Sequence, residues 1–208
     1  MAWDTEATKR RILEAATSEF AAHGPDGTTI ERIAKAAGVN KERVYNYFGG
    51  KRELFSRVLR EELAKVAQAL PVESFAKEDI GDYAGQVYDY HLEHPELGRL
   101  LRWEGLIFDA EEAPDEEQRR EHYSYKTAAV LDGQRGKVVT GDFDADHIVF
   151  LVLSLASWWS SVPQVARMLT GPATEAEHAR RRESVVRAAR RLRLPRPAGA
   201  RVLGLGRC

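Results

Sequence analysis

The chain has 208 residues, a formal net charge of −1, and a composition that is 43% hydrophobic and 30% charged. That leaves room for one large or two small domains with a real core. No run of about 18 apolar residues exists, so no membrane span is expected, and a single cysteine, Cys208, excludes an intramolecular disulfide and a Cys-based zinc framework.

The N-terminal stretch MAWDTEATKRRILEAA opens an amphipathic helix. It lacks the basic region, apolar run and cleavage site of a leader, so a cytoplasmic protein is expected. A first helix is predicted over residues 5–23, broken by His23-Gly24-Pro25-Asp26-Gly27. In residues 28–55, TTIERIAKAAGVNKERVYNYFGGKRELF, the spacing of Ile30, Ile33, Ala34 and Ala37 gives a short helix one apolar face. Gly38 should end it in a left-handed cap, and Asn40 should cap a second short helix. Val44, Tyr45 and Phe48 form that helix's predicted buried face, and Lys41, Glu42, Arg43, Asn46 and Tyr47 point elsewhere. A helix this size fits a DNA major groove, where outward side chains reach base edges and phosphates.

A longer helix is predicted from Lys51 to Leu70, stopped by Pro71. Further helices are predicted over residues 78–93, over Pro95 to Phe108, and through about Gln134 after the acidic stretch Asp109 to Glu117. Residues 133–143 read as a loop. From Asp144 to Leu169 the chain is apolar almost all round, which predicts one helix covered on both sides, by its own core and by a partner subunit. Gly171-Pro172 ends it, and Thr174 with Glu177 predicts a capping box for a last helix to about Leu192. No strand pattern and no internal repeat is found. Residues 195–208, rich in Pro, Gly and Arg, read as a disordered tail.

Charge is distributed unevenly. Residues 41–60 carry six Lys or Arg against two Glu, and residues 109–121 carry seven Asp or Glu against two Arg. A near-neutral total therefore does not exclude nucleic acid.

The combined motifs resemble the TetR family of transcriptional regulators. The residues that carry the resemblance are Ile12-Leu13-Glu14-Ala15-Ala16, Phe20, Gly24, Thr28-Thr29-Ile30, Ile33-Ala34, Ala37-Gly38-Val39, Val44-Tyr45, Tyr47-Phe48 and Lys51 to Leu54. They cover about a quarter of the chain without a gap. The resemblance implies an all-α protein with a three-helix helix-turn-helix DNA-binding domain (residues 1–50) and a larger helical effector-binding and dimerisation domain (residues 51–194). It further implies a homodimer on double-stranded DNA with a palindromic operator, most simply a repressor released by a small molecule. The run HPELGRLLRWEGL resembles the ligand-binding half of several such regulators.

Thr29 stands where free N–H groups and the positive end of a helix suit a phosphate, and also where a simple cap belongs. Tyr45 is a second phosphate candidate, and the resemblance adds Tyr47 and Lys51. Lys51 opposes the dipole of the helix it opens, so a structural reason for it is hard to find. Gly50 departs from the family, where a capping Ser or Thr is common. Base reading falls to Lys41, Arg43 and Asn46, with Glu42 accepting from cytosine or ordering Arg43. The alternative, Arg43 on phosphate alone, stays open.

Outside the motif, Tyr88, His91, Trp103, Phe108, Tyr123 and Trp158 are candidate pocket residues, each also readable as core. Val185, Val186, Ala189 and Leu192 are the candidate dimer surface of the last helix, in a four-helix bundle with the helix of residues 144–169. His91 and His94 are three apart, and Asp142, Asp144, Asp146 and His147 lack a calcium loop's glycine and distal glutamate, so no metal is expected. No cofactor is expected, and no phosphate loop or nucleophile elbow suggests an enzyme. Ten Arg against one Glu over residues 180–208 read as a solvated face plus tail. Two alternatives remain: a DNA-binding regulator without an effector, and an all-α enzyme carrying the same motif.

Overall fold

A computed structural model describes residues 2–109 and 113–194. The tail expected to be disordered, residues 195–208, and part of the acidic stretch lie outside the described residues. Those described form ten helices and a single isolated antiparallel bridge, Val139 to Arg193. The architecture is all-α, as expected.

Helix α1 (Ala2–Gly27) is kinked at Gly24, where φ is 70° and ψ 168°. Two constraints meet there. The left-handed backbone disfavours a side chain, and a Cβ would lie 2.8 Å from ring carbons of Trp103. Helices α2 (Ile30–Ala37) and α3 (Lys41–Phe48) form the helix-turn-helix. The Thr29 hydroxyl accepts from Arg32 N at 3.2 Å and the Asn40 side chain from Arg43 N at 3.1 Å. Gly38 closes α2 in the left-handed region, with φ 66°. Behind them Ile12, Ala16, Phe20, Ile30, Ile33, Val44, Leu54, Phe55 and Val58 make one core, with Phe20 and Phe55 edge to face at 5.3 Å.

Helix α4 (Lys51–Ala69) belongs to two places. Leu54, Phe55, Val58 and Leu59 complete the first core, and Leu63 and Val66 pack against the second. The helical body is α5 (Ile80–Glu93), α6 (Pro95–Ile107), α7 (Glu116–Arg135), α8 (Ala145–Ser161), α9 (Pro163–Thr170) and α10 (Glu175–Arg190). Its core includes Phe75, Ile80, Val87, Leu97, Val130, Ile148, Val152, Val185 and Ala189. Helix α6 is shared like α4: Leu97 packs in the body, Leu100 in the first core.

Three expectations are corrected. The helix predicted over residues 144–169 is two helices bent by 85°. Pro163 supplies no N–H and crowds the preceding turn, and Val162 before it leaves helical geometry at φ −129°, ψ 62°. The capping box is half formed: Thr174 accepts from Glu177 N at 3.2 Å, but the Glu177 carboxylate turns to Arg180 and Arg181 instead of the Thr174 N–H. Hydrogen bonds from the Thr170 hydroxyl first and Arg180 next hold that carboxyl well below its usual range, at about 2.

The third concerns the dimer surface. Val185, Val186 and Ala189 are buried within the subunit itself. A Cβ on Gly81 would lie 2.7 Å from the Val186 carbonyl and one on Gly85 2.9 Å from Val186 Cγ2, so α10 sits directly on α5. Leu192 packs at the edge of the same core. The apolar spacing of α10 belongs to its own fold. Exposed apolar side chains lie instead along α8 and α9: Phe150 is 71% exposed, Trp158 63%, Met168 69% and Leu169 78%. No single described helix is long and apolar enough to cross a membrane.

Candidate nucleic-acid interface and ligand cavity

On α3 only Val44 is fully buried; Tyr47 and Phe48 are half-buried and Tyr45 is 49% exposed. The two tyrosines therefore exchange their expected places. In eight residues the buried stripe follows 44, 47 and 48, and Tyr45 lies about 100° round the helix from Val44. Tyr47 meets Phe48 edge to face at 6.4 Å, with Lys9 Nζ 5.8 Å from its ring centroid. Lys41, Glu42, Arg43, Tyr45 and Asn46 are exposed along one outward surface, and Thr29 is exposed at the start of α2.

Lys41 Nζ is 3.5 Å from Glu31 Oε1. A backbone hydrogen bond first, with Lys41 adding to it, holds the Glu31 carboxyl below its ordinary value. The Arg43 guanidinium has no carboxylate partner among the described residues, which leaves it free for an incoming acceptor. Lys51 does have a structural partner, unlike the expectation. Its Nζ donates to the Thr28 carbonyl at 3.4 Å and lies 3.9 Å from Asp26 Oδ1, tying the start of α4 to the turn before α2. Nearby, the buried Thr28 hydroxyl donates to Glu19 at 2.8 Å, and Glu19 pairs with Arg32 at 3.1 Å. Sequence reading missed this triad because its members lie nine and thirteen residues apart.

A cavity of about 480 Å³ opens between α4, α5, α6, α7 and α8. Leu63, Val66, Leu70, Val87, Leu97, Leu101, Val149 and Leu153 give it apolar walls; His91, Arg119, His122, Tyr123, Lys126 and Asp146 bring polar tips. Arg119 is committed to a paired hydrogen bond with Glu104. Lys126 lies 5.6 Å from the Tyr83 ring centroid with no anion beside it among the described residues, and burial pushes its ammonium below the ordinary lysine value. Burial likewise lowers His91 and favours the neutral ring, whose Nδ1 has no hydrogen-bond partner.

Two of the six candidate pocket residues, His91 and Tyr123, line this cavity. Tyr88 lines a second cleft, which His91 also borders. Trp103 and Phe108 pack against the first core, Trp103 on Gly24 and Phe108 stacked on Phe55 at 6.2 Å. Trp158 faces outward. Sequence reading missed Arg119, His122 and Lys126, because charged residues at helical spacing look the same whether they face water or a cavity. At the start of α8, Asp144, Asp146 and His147 bring possible ligand atoms within 4.8 Å of one another, all exposed. Asp144 makes no side-chain cap, and Asp146 accepts from His147 N at 2.8 Å.

A capped helix-turn-helix with an outward basic and polar second helix, carried on a helical body, defines a DNA-binding transcriptional regulator. Comparison with known proteins agrees. Residues 12–58 match the model of bacterial regulatory proteins of the tetR family, and residues 79–191 the tetracyclin repressor-like C-terminal domain. An HTH-type transcriptional repressor of Streptomyces coelicolor (SCO4008) is 44% identical over 91% of this chain and 96% of its own length. A Pseudomonas putida repressor, NicS, is 33% identical over 50% of this chain and 51% of its own. The crystal structure of the regulator SCO4942, also from Streptomyces coelicolor, superposes with a TM-score of 0.78 at 30% identity, covering 91% of this chain and 99% of that one. The chain belongs to the TetR family of DNA-binding transcriptional regulators.

Proposed function

We propose that the chain works as a homodimer that represses from a palindromic operator and is released when a small organic molecule enters the 480 Å³ cavity. The observation that carries this reading is the double membership of α4 and α6. Leu63 and Val66 border the cavity while Leu54 to Leu59 hold the reading head; Leu97 and Leu101 border it while Leu100 and Trp103 touch the head. A molecule that spreads the cavity walls moves the same two helices that position α3. An effector-free regulator would fill this space with side chains, so the open cavity favours the liganded reading.

In this reading Lys41, Arg43 and Asn46 meet base edges with Glu42 beside them, and Thr29, Tyr45, Tyr47 and Lys51 hold the backbone. The partner covers the exposed apolar face of α8 and α9 in place of the buried Val185, Val186 and Ala189. Two reading heads related by a twofold axis then sit about one DNA turn apart, roughly 34–36 Å, or a multiple of it. The effector has an apolar body, for the cavity's walls, and a polar group for the side of Lys126 and His122. It acts only by its preference for the dimer state that no longer fits the operator.

The test is linkage. An effector found by Trp-fluorescence screening should weaken binding to a selected palindrome, and the palindrome should weaken effector binding by the same factor. A molecule that binds equally with and without DNA is not the signal. Sedimentation of Leu169→Glu together with Phe150→Glu should show monomers that keep their helical content; an unchanged dimer moves the interface elsewhere.

A further inference from the structure

A second cleft, of about 440 Å³, lies on the other side of the seam formed by α5, α6 and α8. Its chemistry differs from that of the effector cavity. Arg99 and Arg102 enter it from α6, Arg167 from α9 and Arg181 from α10, and no Asp or Glu is among the residues that line it. Most arginines of the described chain are matched to carboxylates: Arg32 to Glu19, Arg57 to Glu61, Arg119 to Glu104, Arg182 to Asp89 and Arg190 to Asp79. Arg181 is matched too, to Glu177 and the Thr170 hydroxyl. Arg99, Arg102 and Arg167 have no such partner among the described residues.

Three unpaired guanidinium groups from two helices around one concavity repel one another. Partial desolvation at the cleft first and the neighbouring Arg99 charge second hold the otherwise exposed Arg102 guanidinium below its ordinary value. An arrangement of this kind is relieved by an oxyanion, which planar guanidinium groups grip through paired charge-assisted hydrogen bonds. The rest of the lining is suited to an adjoining ring. Trp159, Pro163 and Leu92 are apolar, and Tyr88 Oη is held 3.0 Å from His178 Nδ1.

We propose that this cleft is a binding site for a small oxyanion, a phosphate or a carboxylate, borne on an aromatic or apolar group. The oxyanion sits among Arg99, Arg102 and Arg167, and the apolar part lies against Trp159. The site is separate from the effector cavity and does not depend on it. His91 lines both and stands as the wall between them.

Phenyl phosphate is the probe, titrated calorimetrically into the full chain at low salt, with benzoate in parallel and benzylamine as the cation of the same ring. One phenyl phosphate should bind per chain, quench Trp fluorescence, and compete with added chloride; benzylamine should not bind. The Arg99→Gln/Arg102→Gln pair, both exposed and hence tolerated by the fold, should weaken binding at least about tenfold. Arg135→Gln/Arg187→Gln removes two charges elsewhere on the surface and should leave it within about twofold. Benzoate binding as tightly as phenyl phosphate assigns a carboxylate ligand; a preference for phenyl phosphate assigns a phosphoryl one. Equal losses in the two double variants would reduce the effect to net charge and overturn the proposal. So would absence of binding at millimolar probe. If Arg99→Gln/Arg102→Gln instead dissociates the dimer in sedimentation while phenyl phosphate never binds, the arginines meet a partner's carboxylates and no ligand site exists.

Discussion

The reading head and the helical body solve different problems with the same kind of helix. In the head, helices of eight residues are closed at both ends by their own side chains and glycines, and the polar residues behind them are matched in pairs. The body leaves about 480 Å³ unfilled beside Leu153 and Val149 and leaves cations such as Lys126 without a counterion among the described residues. A groove reader gains from rigidity, since its side chains must arrive at base edges already in place. A chamber gains from incomplete packing, since its stability can be raised by what enters it. The contrast teaches that one chain can pack one half to completion and build the other around an open space.

That contrast can be broken at its strongest point first. Phe55→Ala removes a fully buried ring from the head, between Phe20 and Phe108, and should cost about 3–5 kcal/mol in chemical denaturation. Leu153→Ala, at the cavity wall, should cost well under half of that while enlarging the chamber, because the lost contacts were already one-sided. Equal losses would mean that the cavity closes in solution. Next in size is Arg43→Ala, which should forfeit about 1–3 kcal/mol of discrimination at one base position. Identical preferences in sites selected by the variant and the wild type would leave Arg43 a phosphate contact only.

Asn40→Ala deletes the cap on α3 and should destabilise the head by about 1 kcal/mol, seen as earlier loss of hydrogen-exchange protection in α3 than in α5. Uniform loss across both would show that head and body unfold as one unit. The smallest effect is expected for Lys51→Ala, a flattening of the salt dependence of DNA binding by about one unit of slope across all sequences. Because Lys51 also holds the Thr28 carbonyl, Lys51→Arg should restore the slope. Failure to restore it would assign Lys51 to the turn alone.

The head was legible in the sequence because its determinants are local. Thr29, Gly38 and Asn40 act on residues three or four away, and their caps form as read. The error inside it, the exchange of Tyr45 and Tyr47, came from assigning a buried face over too few turns to fix its phase. The body was legible as helices and opaque as a site. Pro163 stands inside the apolar run from Asp144 to Leu169, whose continuous hydrophobicity hides the break the proline makes. Val185 and Ala189 showed a buried stripe without showing whose core it enters, since a helix packed on its own subunit and one packed on a partner have the same periodicity. Trp103 and Phe108 read as pocket candidates because large amphipathic rings suit either use; only the path of α6 back to α1 decides against them. Lys126 and Arg102 gave no signal at all, because a charge facing a cavity differs from one facing water only through residues distant in sequence.

The 85° elbow at Val162 and Pro163 has a consequence for any subunit seated on the exposed side chains of α8 and α9. Two plates that meet on one plane can still slip and swivel. A corner admits neither: the leg through Phe150 and Trp158 blocks travel along the leg through Met168 and Leu169, and the reverse holds as well. One proline thus turns a greasy surface into a carpenter's square, and the separation of whatever each half carries becomes a fixed dimension of the pair.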